Sequence, residues 1–147
     1  MFEMEKINQN SSTTSTGNSE FKLLKILIVD DNVTICMVLR ELMKEYSREI
    51  LISGSGEEAI TIVENNPDID LIMMDTYMRR MNGSEATNRI RQFNTKVVII
   101  IVTAFPLSEI TEEFAGVVFD DYLPKPFSKF NINQLIMKHF KSKFQFI

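Results

Sequence analysis

Five short apolar runs, separated by amphipathic segments, constrain this chain more than any other feature. The runs are LLKILIV at 23 to 29, EILIS at 49 to 53, DLIMM at 70 to 74, KVVIIIV at 96 to 102 and VVFDDYL at 117 to 123. Several are apolar at every position rather than at alternate ones, the pattern of strands covered by helices on both faces. Between them Ile35, Leu39, Leu42 and Tyr46 recur at helical spacing, as do Ala59, Ile60 and Val63, then Ala86, Ile90 and Phe93. A fourth helix over about 107 to 115 rests on Ile110 and Phe114, and a last one over roughly 128 to 141 on Ile132, Leu135, Ile136 and Phe140. Ser55 followed by Glu58 reads as a capping box that opens the second helix, while Asn66 and Pro67 stop it. Strands and helices in strict alternation fold as a parallel sheet wound on both faces.

A chain of 147 residues, 44% of them apolar, suits one domain with a full core. The first 20 residues stand apart. NQNSSTTSTGNS at 8 to 19 has too little apolar surface to offset the entropy of ordering, so residues 1–20 read as a flexible linker or the remnant of something upstream, and 21–147 as the domain. The net charge of −4 supplies no general attraction to a phosphate backbone, which argues against a nucleic-acid partner. The single cysteine, Cys36, has no intrachain partner and lies in a helical pattern, as expected of a packed thiol in a reducing cytoplasm. No apolar run approaches the ~20 residues that span a bilayer, and the N-terminus lacks a signal-peptide pattern, so no direct membrane contact is expected.

In an open parallel sheet the groups just past the carboxyl ends of the strands face one crevice. Here the first strand ends in Asp30 and Asp31, the third in Asp75, the fourth in Thr103, and the fifth shortly before Lys125. The second ends in Ser53 and Gly54, without an ionisable group. That distribution suits a flavodoxin-like strand order 2-1-3-4-5, with strands 1, 3 and 4 adjacent. Three carboxylates meeting in one crevice repel one another and call for a cation. Hard oxygen ligands favour Mg²⁺, whereas one histidine and one cysteine cannot build a zinc site.

These residues resemble a known family, the receiver domain of two-component response regulators, over about 23 to 141. IVDDN at 28 to 32 is similar to the family's acidic pair, MMDTYMRRMNG at 73 to 83 to its phosphoacceptor segment, IVTAF at 101 to 105 to its switch hydroxyl, and DYLPKPF at 121 to 127 to its lysine-proline motif. The separations between these segments are normal for receivers. The resemblance implies that Asp75 accepts a phosphoryl group from a phosphohistidine on a histidine kinase or histidine phosphotransfer protein. It implies further that Asp30, Asp31, Asp75 and the carbonyl of Tyr77 hold Mg²⁺, with Asp30 acting directly or through a water. Lys125 and Thr103 would then bind phosphoryl oxygens. Tyr122 would turn into space vacated by Thr103, changing the face formed by the fourth helix, fifth strand and fifth helix. Such a change leaves a phosphorylation-dependent dimer open as a partner, and the only catalysis implied for the domain is its own phosphorylation and dephosphorylation. Pro126 is expected to be cis by the same resemblance.

The chain departs from the pattern at Arg79 and Asn82, where receivers commonly have proline and aspartate. Gly83 remains, where a positive φ or a close helix approach is expected. His139, in the last turn of the last expected helix, reads as a cation complementing the helix dipole. Two architectures stay open: a stand-alone receiver, or the receiver of a hybrid histidine kinase, toward which the Ser/Thr/Asn-rich linker and GSEATNRIR at 83 to 91 tilt the reading. Only KSKFQFI follows Phe140, so a transcription factor with its own output domain is disfavoured. A scaffold that keeps the fold without the chemistry is the second class of function. An aspartyl-nucleophile phosphohydrolase of the haloacid dehalogenase type is the third, but there a second aspartate follows the nucleophile by two residues, where this chain has Tyr77.

Overall fold

The computed structural model describes residues 23–144. The expected linker at 1–20 lies outside the described residues. Among those described, the elements run β1 Leu24–Val29, α1 Val33–Met43, β2 Ser47–Ser53, α2 Gly56–Asn65, β3 Leu71–Asp75, α3 Gly83–Arg91, β4 Val98–Thr103, α4 Leu107–Glu113, β5 Asp121–Pro124 and α5 Lys129–Phe144. One turn of 3₁₀ helix, Lys44–Tyr46, joins α1 to β2 and carries Tyr46. All strand pairs are parallel and the order is β2-β1-β3-β4-β5, as the polar strand ends require.

Every residue of β1 and β3 is buried, which explains why both are apolar apart from Lys25 in β1 and Asp75 at the end of β3. Alternation sorts the strand side chains to two faces. Leu24, Ile26, Ile28, Leu71, Met73, Ile100 and Val102 join Leu39, Met43, Ile132 and Ile136 in the core under α1 and α5. Leu27, Val29, Ile72, Met74, Ile99 and Ile101 join Ala59, Val63, Ala86, Ile90 and Ile110 in the core under α2, α3 and α4. Burial on this scale, at roughly 25 cal/mol per Å² of apolar surface, is the principal force holding helices on both faces.

Helix starts follow the local chemistry. Asn32 caps α1, its Oδ1 accepting from the Ile35 amide at 3.2 Å, and Ser55 caps α2, its Oγ accepting from the Glu58 amide at 3.1 Å.

Four expectations need correction. The fifth strand begins at Asp121, not 117, because Val117 and Phe119 leave the sheet to cover the core under α4, Phe119 packing edge-on to Phe114 at 5.2 Å. Asp120 takes the place of that strand start: its amide donates to the Ile99 carbonyl at 2.9 Å and its carboxylate accepts from the Ile99 amide at 2.8 Å. Phe93 is not a core residue, since α3 ends at Arg91 and leaves the ring 47% exposed. The last helix runs past 141 to Phe144, with a non-helical Phe140 inside it, so that Phe140 and Phe144 both reach the core. His139 is therefore not in the last turn, and its Nε2 lies 2.8 Å from Asp121 Oδ2 instead. Lys138 also pairs with Asp121, at 2.9 Å. Burial alone would raise the Asp121 carboxyl, but the bonds from Lys138 and His139 outweigh it and hold the group below its ordinary value.

Candidate active site

Asp30, Asp31, Asp75, Thr103 and Lys125 gather at the carboxyl end of the sheet, around β1, β3 and β4. Asn32 does the capping of α1, so neither aspartate is spent as a helix cap. Asp30 is buried, its Oδ1 accepting from the Asn32 amide at 2.8 Å while its Oδ2 faces Lys125 Nζ at 3.3 Å. Asp31 is partly exposed and accepts from the Arg79 amide at 3.4 Å. Asp75 ends β3 with 7% of its surface exposed, and its Oδ1 lies 3.2 Å from Lys125 Nζ. One oxygen from each of the three carboxylates lies within 4.8 Å of the others.

The charge balance follows from these distances. Burial and then the neighbouring Asp30 push the Asp75 carboxyl up to about 6, against the pull of Lys125. Burial lowers Lys125, yet Asp75 and Asp30 outweigh it and hold the ammonium above its ordinary value. One amine thus faces two buried acids with a third alongside, and the cluster carries surplus negative charge. All donors are oxygens in a small space, a set that fits a hard divalent cation such as Mg²⁺.

The backbone behind Asp75 fixes its direction. Gly83 opens α3, and its amide donates to the Thr76 carbonyl at 2.7 Å. A Cβ on Gly83 would lie 2.0 Å from the Asp75 carbonyl oxygen, so of the two expected reasons for glycine here the close approach is the one that applies. Met78 and Met81 are buried and pin the intervening loop, which leaves Arg79 and Arg80 exposed, Arg80 at a φ of 71°. The Lys125–Pro126 bond is cis, as the lysine-proline motif led us to expect.

Several contacts around the cluster are not evident from the sequence. Thr76 and Thr103 are both fully buried and their hydroxyls lie 2.8 Å apart. The Tyr77 and Phe105 rings meet edge-to-face, 4.7 Å between centroids, at the rim of the site. Asn82, which starts α3 without a side-chain cap, donates instead to Glu113 Oε1 at the end of α4 (3.3 Å), and Ser84 Oγ donates to the same oxygen at 2.9 Å. An aspartate at position 82 has no proton to give to a carboxylate, so asparagine here joins the loop to α4 where the commoner residue would repel it. Tyr122 is half-buried against the core under α4.

A five-stranded sheet in this order, with acids and a lysine at its rim, defines a flavodoxin-like domain of the CheY type. Consistent with that, the chain superposes on the receiver domain of a sensor histidine kinase from Pseudomonas aeruginosa, solved with a magnesium ion coordinated in its active-site cleft, with a TM-score of 0.73 and 25% identity over 81% of this chain and 98% of that one. It also superposes on a CheX–CheY–beryllofluoride–magnesium complex from Borrelia burgdorferi, with a TM-score of 0.72 and 25% identity, covering 78% and 87%. The chain belongs to the response regulator receiver domain family, whose model matches residues 26–137. Transcriptional regulatory protein YvrH of Bacillus subtilis is 38% identical over 82% of this chain and 50% of its own length. Sensor histidine kinase GacS of Pseudomonas protegens is 29% identical over 78% of this chain and 13% of its own. The chain thus spans half or less of these curated relatives. Among the described residues no helix is long and apolar enough to cross a membrane.

Proposed function

We propose that this chain is a phosphoacceptor module of a two-component phosphorelay, with Asp75 as the acceptor. The observation that carries the reading is Lys125 Nζ bridging Asp75 and Asp30 at 3.2 and 3.3 Å, beside a third carboxylate. An ionised Asp75 oxygen attacks the phosphorus of a phosphohistidine on a histidine kinase or histidine phosphotransfer protein. The P–N bond breaks, its electron pair returns to the imidazole, and an aspartyl phosphate remains. Asp30, Asp31, Asp75 and the Tyr77 carbonyl would hold Mg²⁺, which when bound offsets charge on the transferring group. Lys125 then pairs with one phosphoryl oxygen and Thr103 donates to another, since the product carries nearly two negative charges and three acceptor oxygens.

The response passes to the surface of α4, β5 and α5, with Tyr122 as its mobile ring. A groove of about 830 Å³, lined by Asp121, Tyr122, Leu123, Leu135, Lys138 and Lys141, lies along β5 and α5 and suits a partner or a second copy of the chain. Likeness to a sensor kinase and to a kinase-borne receiver supports the hybrid-kinase setting, and likeness to YvrH supports a response regulator. The Ser/Thr/Asn-rich segment and GSEATNRIR favour the hybrid, in the cytoplasmic part of such a kinase.

Incubation with acetyl phosphate and Mg²⁺, followed by intact-mass measurement, tests the reading. One phosphoryl group per chain is expected, dependent on Mg²⁺ and missing from Asp75→Asn. An unlabelled wild-type chain would leave the scaffold reading, and steady turnover of small phosphate esters would revive the phosphohydrolase.

The edge-to-face pair of Tyr77 and Phe105, two residues beyond Asp75 and Thr103 respectively, would narrow the approach of water to a phosphorylated Asp75. Spontaneous loss of the phosphoryl group is therefore expected to be slow, and to quicken several-fold when both are replaced by asparagine. An unchanged lifetime in the double variant, followed by mass after removal of donor, rules this shielding out.

A further inference from the structure

We propose that Thr76 is a positioning residue that holds the Thr103 hydroxyl away from the acceptor, and so sets the threshold for switching. The proposal rests on the phosphoacceptor reading above and deepens it.

Strand alternation puts the two threonines on the face opposite the acceptor. Met73 faces the core under α1 and α5, and Asp75, two residues on, shares that side; Met74 faces the core under α2, α3 and α4, and Thr76 follows it. In β4, Ile99 and Ile101 face the Thr76 side, and Thr103 continues their series. The Thr103 oxygen lies 2.8 Å from Thr76 Oγ1 and accepts from the Phe105 amide at 3.1 Å. Thr103 meets Lys125 through the backbone, its carbonyl accepting from the Lys125 amide at 2.7 Å, but no hydrogen bond joins the Thr103 hydroxyl to the Asp75 carboxylate or to Lys125 Nζ, which bonds Asp75 and Asp30.

With 1% of Thr76 and none of Thr103 exposed, water cannot replace either hydroxyl's partner. A buried hydroxyl that gives up its partner must find another. For Thr103 to donate to a phosphoryl oxygen on Asp75 it must leave Thr76, and the bond it leaves counts against the switched arrangement. The lost bond, worth about a kilocalorie, corresponds to a bias of roughly fivefold between the two positions.

The test uses beryllofluoride with Mg²⁺ as the probe and amide NMR of the whole chain as the readout. The Phe105 amide reports directly on Thr103, to which it is bonded. Thr76→Val keeps the shape and removes the hydroxyl. It is expected to bind beryllofluoride roughly fivefold more tightly than wild type and, with Mg²⁺ alone, to shift the Phe105 signal part of the way toward its beryllofluoride-saturated position. Thr76→Ser restores the hydroxyl and should restore both wild-type values, which a packing role would not do. In a Thr103→Val background Thr76→Val should have no effect on affinity. An affinity for Thr76→Val equal to or weaker than wild type, or a full effect persisting without the Thr103 hydroxyl, overturns the proposal while leaving the acceptor reading standing. A wild-type chain that forms no beryllofluoride adduct overturns both.

Discussion

Alanine at Gly83 is expected to destabilise the domain by about 3 kcal/mol or more and to abolish labelling of Asp75. The added methyl carbon would sit 2.0 Å from the Asp75 carbonyl oxygen and 3.1 Å from Met74 Cγ. The nearest atom is backbone, so relief requires either β3 or the start of α3 to move. That motion also stretches the 2.7 Å bond from the Gly83 amide to the Thr76 carbonyl. Because the strained atoms belong to Asp75 itself, stability and chemistry are lost together. Gly54→Ala is the control: nothing lies within 4 Å of its added carbon and its backbone is not left-handed, so it should be neutral or slightly stabilising. Urea unfolding of both variants, with acetyl phosphate labelling in parallel, checks this. A Gly83→Ala protein within about half a kilocalorie of wild type would mean that α3 does not press on the acceptor as described.

Asparagine at Asp75 is expected to have the opposite effect on stability, while eliminating phosphorylation. The Asp75 carboxyl, raised to about 6, binds its proton more tightly folded than unfolded. As pH rises from about 4 to about 6 the unfolded chain gives up this proton first, so the group's contribution to stability declines across that window and reaches its full cost above it. Two units correspond to about 3 kcal/mol, and the buried amide of asparagine returns part of that. Without divalent cations at pH 7.5, Asp75→Asn should therefore melt roughly 5 to 10 °C above wild type. The difference should shrink steeply toward pH 4, where Asp75 is protonated in the folded state and about half protonated in the unfolded one. Adding Mg²⁺ should raise the wild-type melting temperature and close the gap at pH 7.5, because binding to the folded state alone is stabilising. Equal melting temperatures across the whole pH range would remove the surplus charge on which the cation site rests.

What could be read from the sequence divides along physical lines. β1 and β3 were legible because both faces are buried, so their runs are apolar apart from Lys25 near the start of β1, and the polar residues at their carboxyl ends can only lie at the rim of the sheet. From those ends the strand order and the grouping of Asp30, Asp31, Asp75, Thr103 and Lys125 follow. β5 was misjudged at its start because Val117 and Phe119 are apolar for a different reason, covering α4's core from outside the ladder. Phe93 misled in the converse way, continuing the α3 period two residues past the end of the helix. Contacts between residues distant in sequence gave no local signal. The Thr76–Thr103 hydroxyl pair, the Glu113 bonds to Asn82 and Ser84, and the His139–Asp121 pair each depend on packing that only the assembled sheet creates. Alternation along two registered strands could have paired Thr76 with Thr103, but only once β3 was known to lie beside β4.

A crystal structure of the chain with Mg²⁺ and beryllofluoride tests most directly whether this rim is a phosphoryl acceptor. The expected result is beryllium bonded to an oxygen of Asp75, Mg²⁺ held by Asp31, Asp75 and the Tyr77 carbonyl with Asp30 beside it, and Lys125 and Thr103 each on a fluorine. Crystals grown under saturating conditions that show an unmodified Asp75, with Lys125 turned outward or the three carboxylates holding no metal, would contradict it.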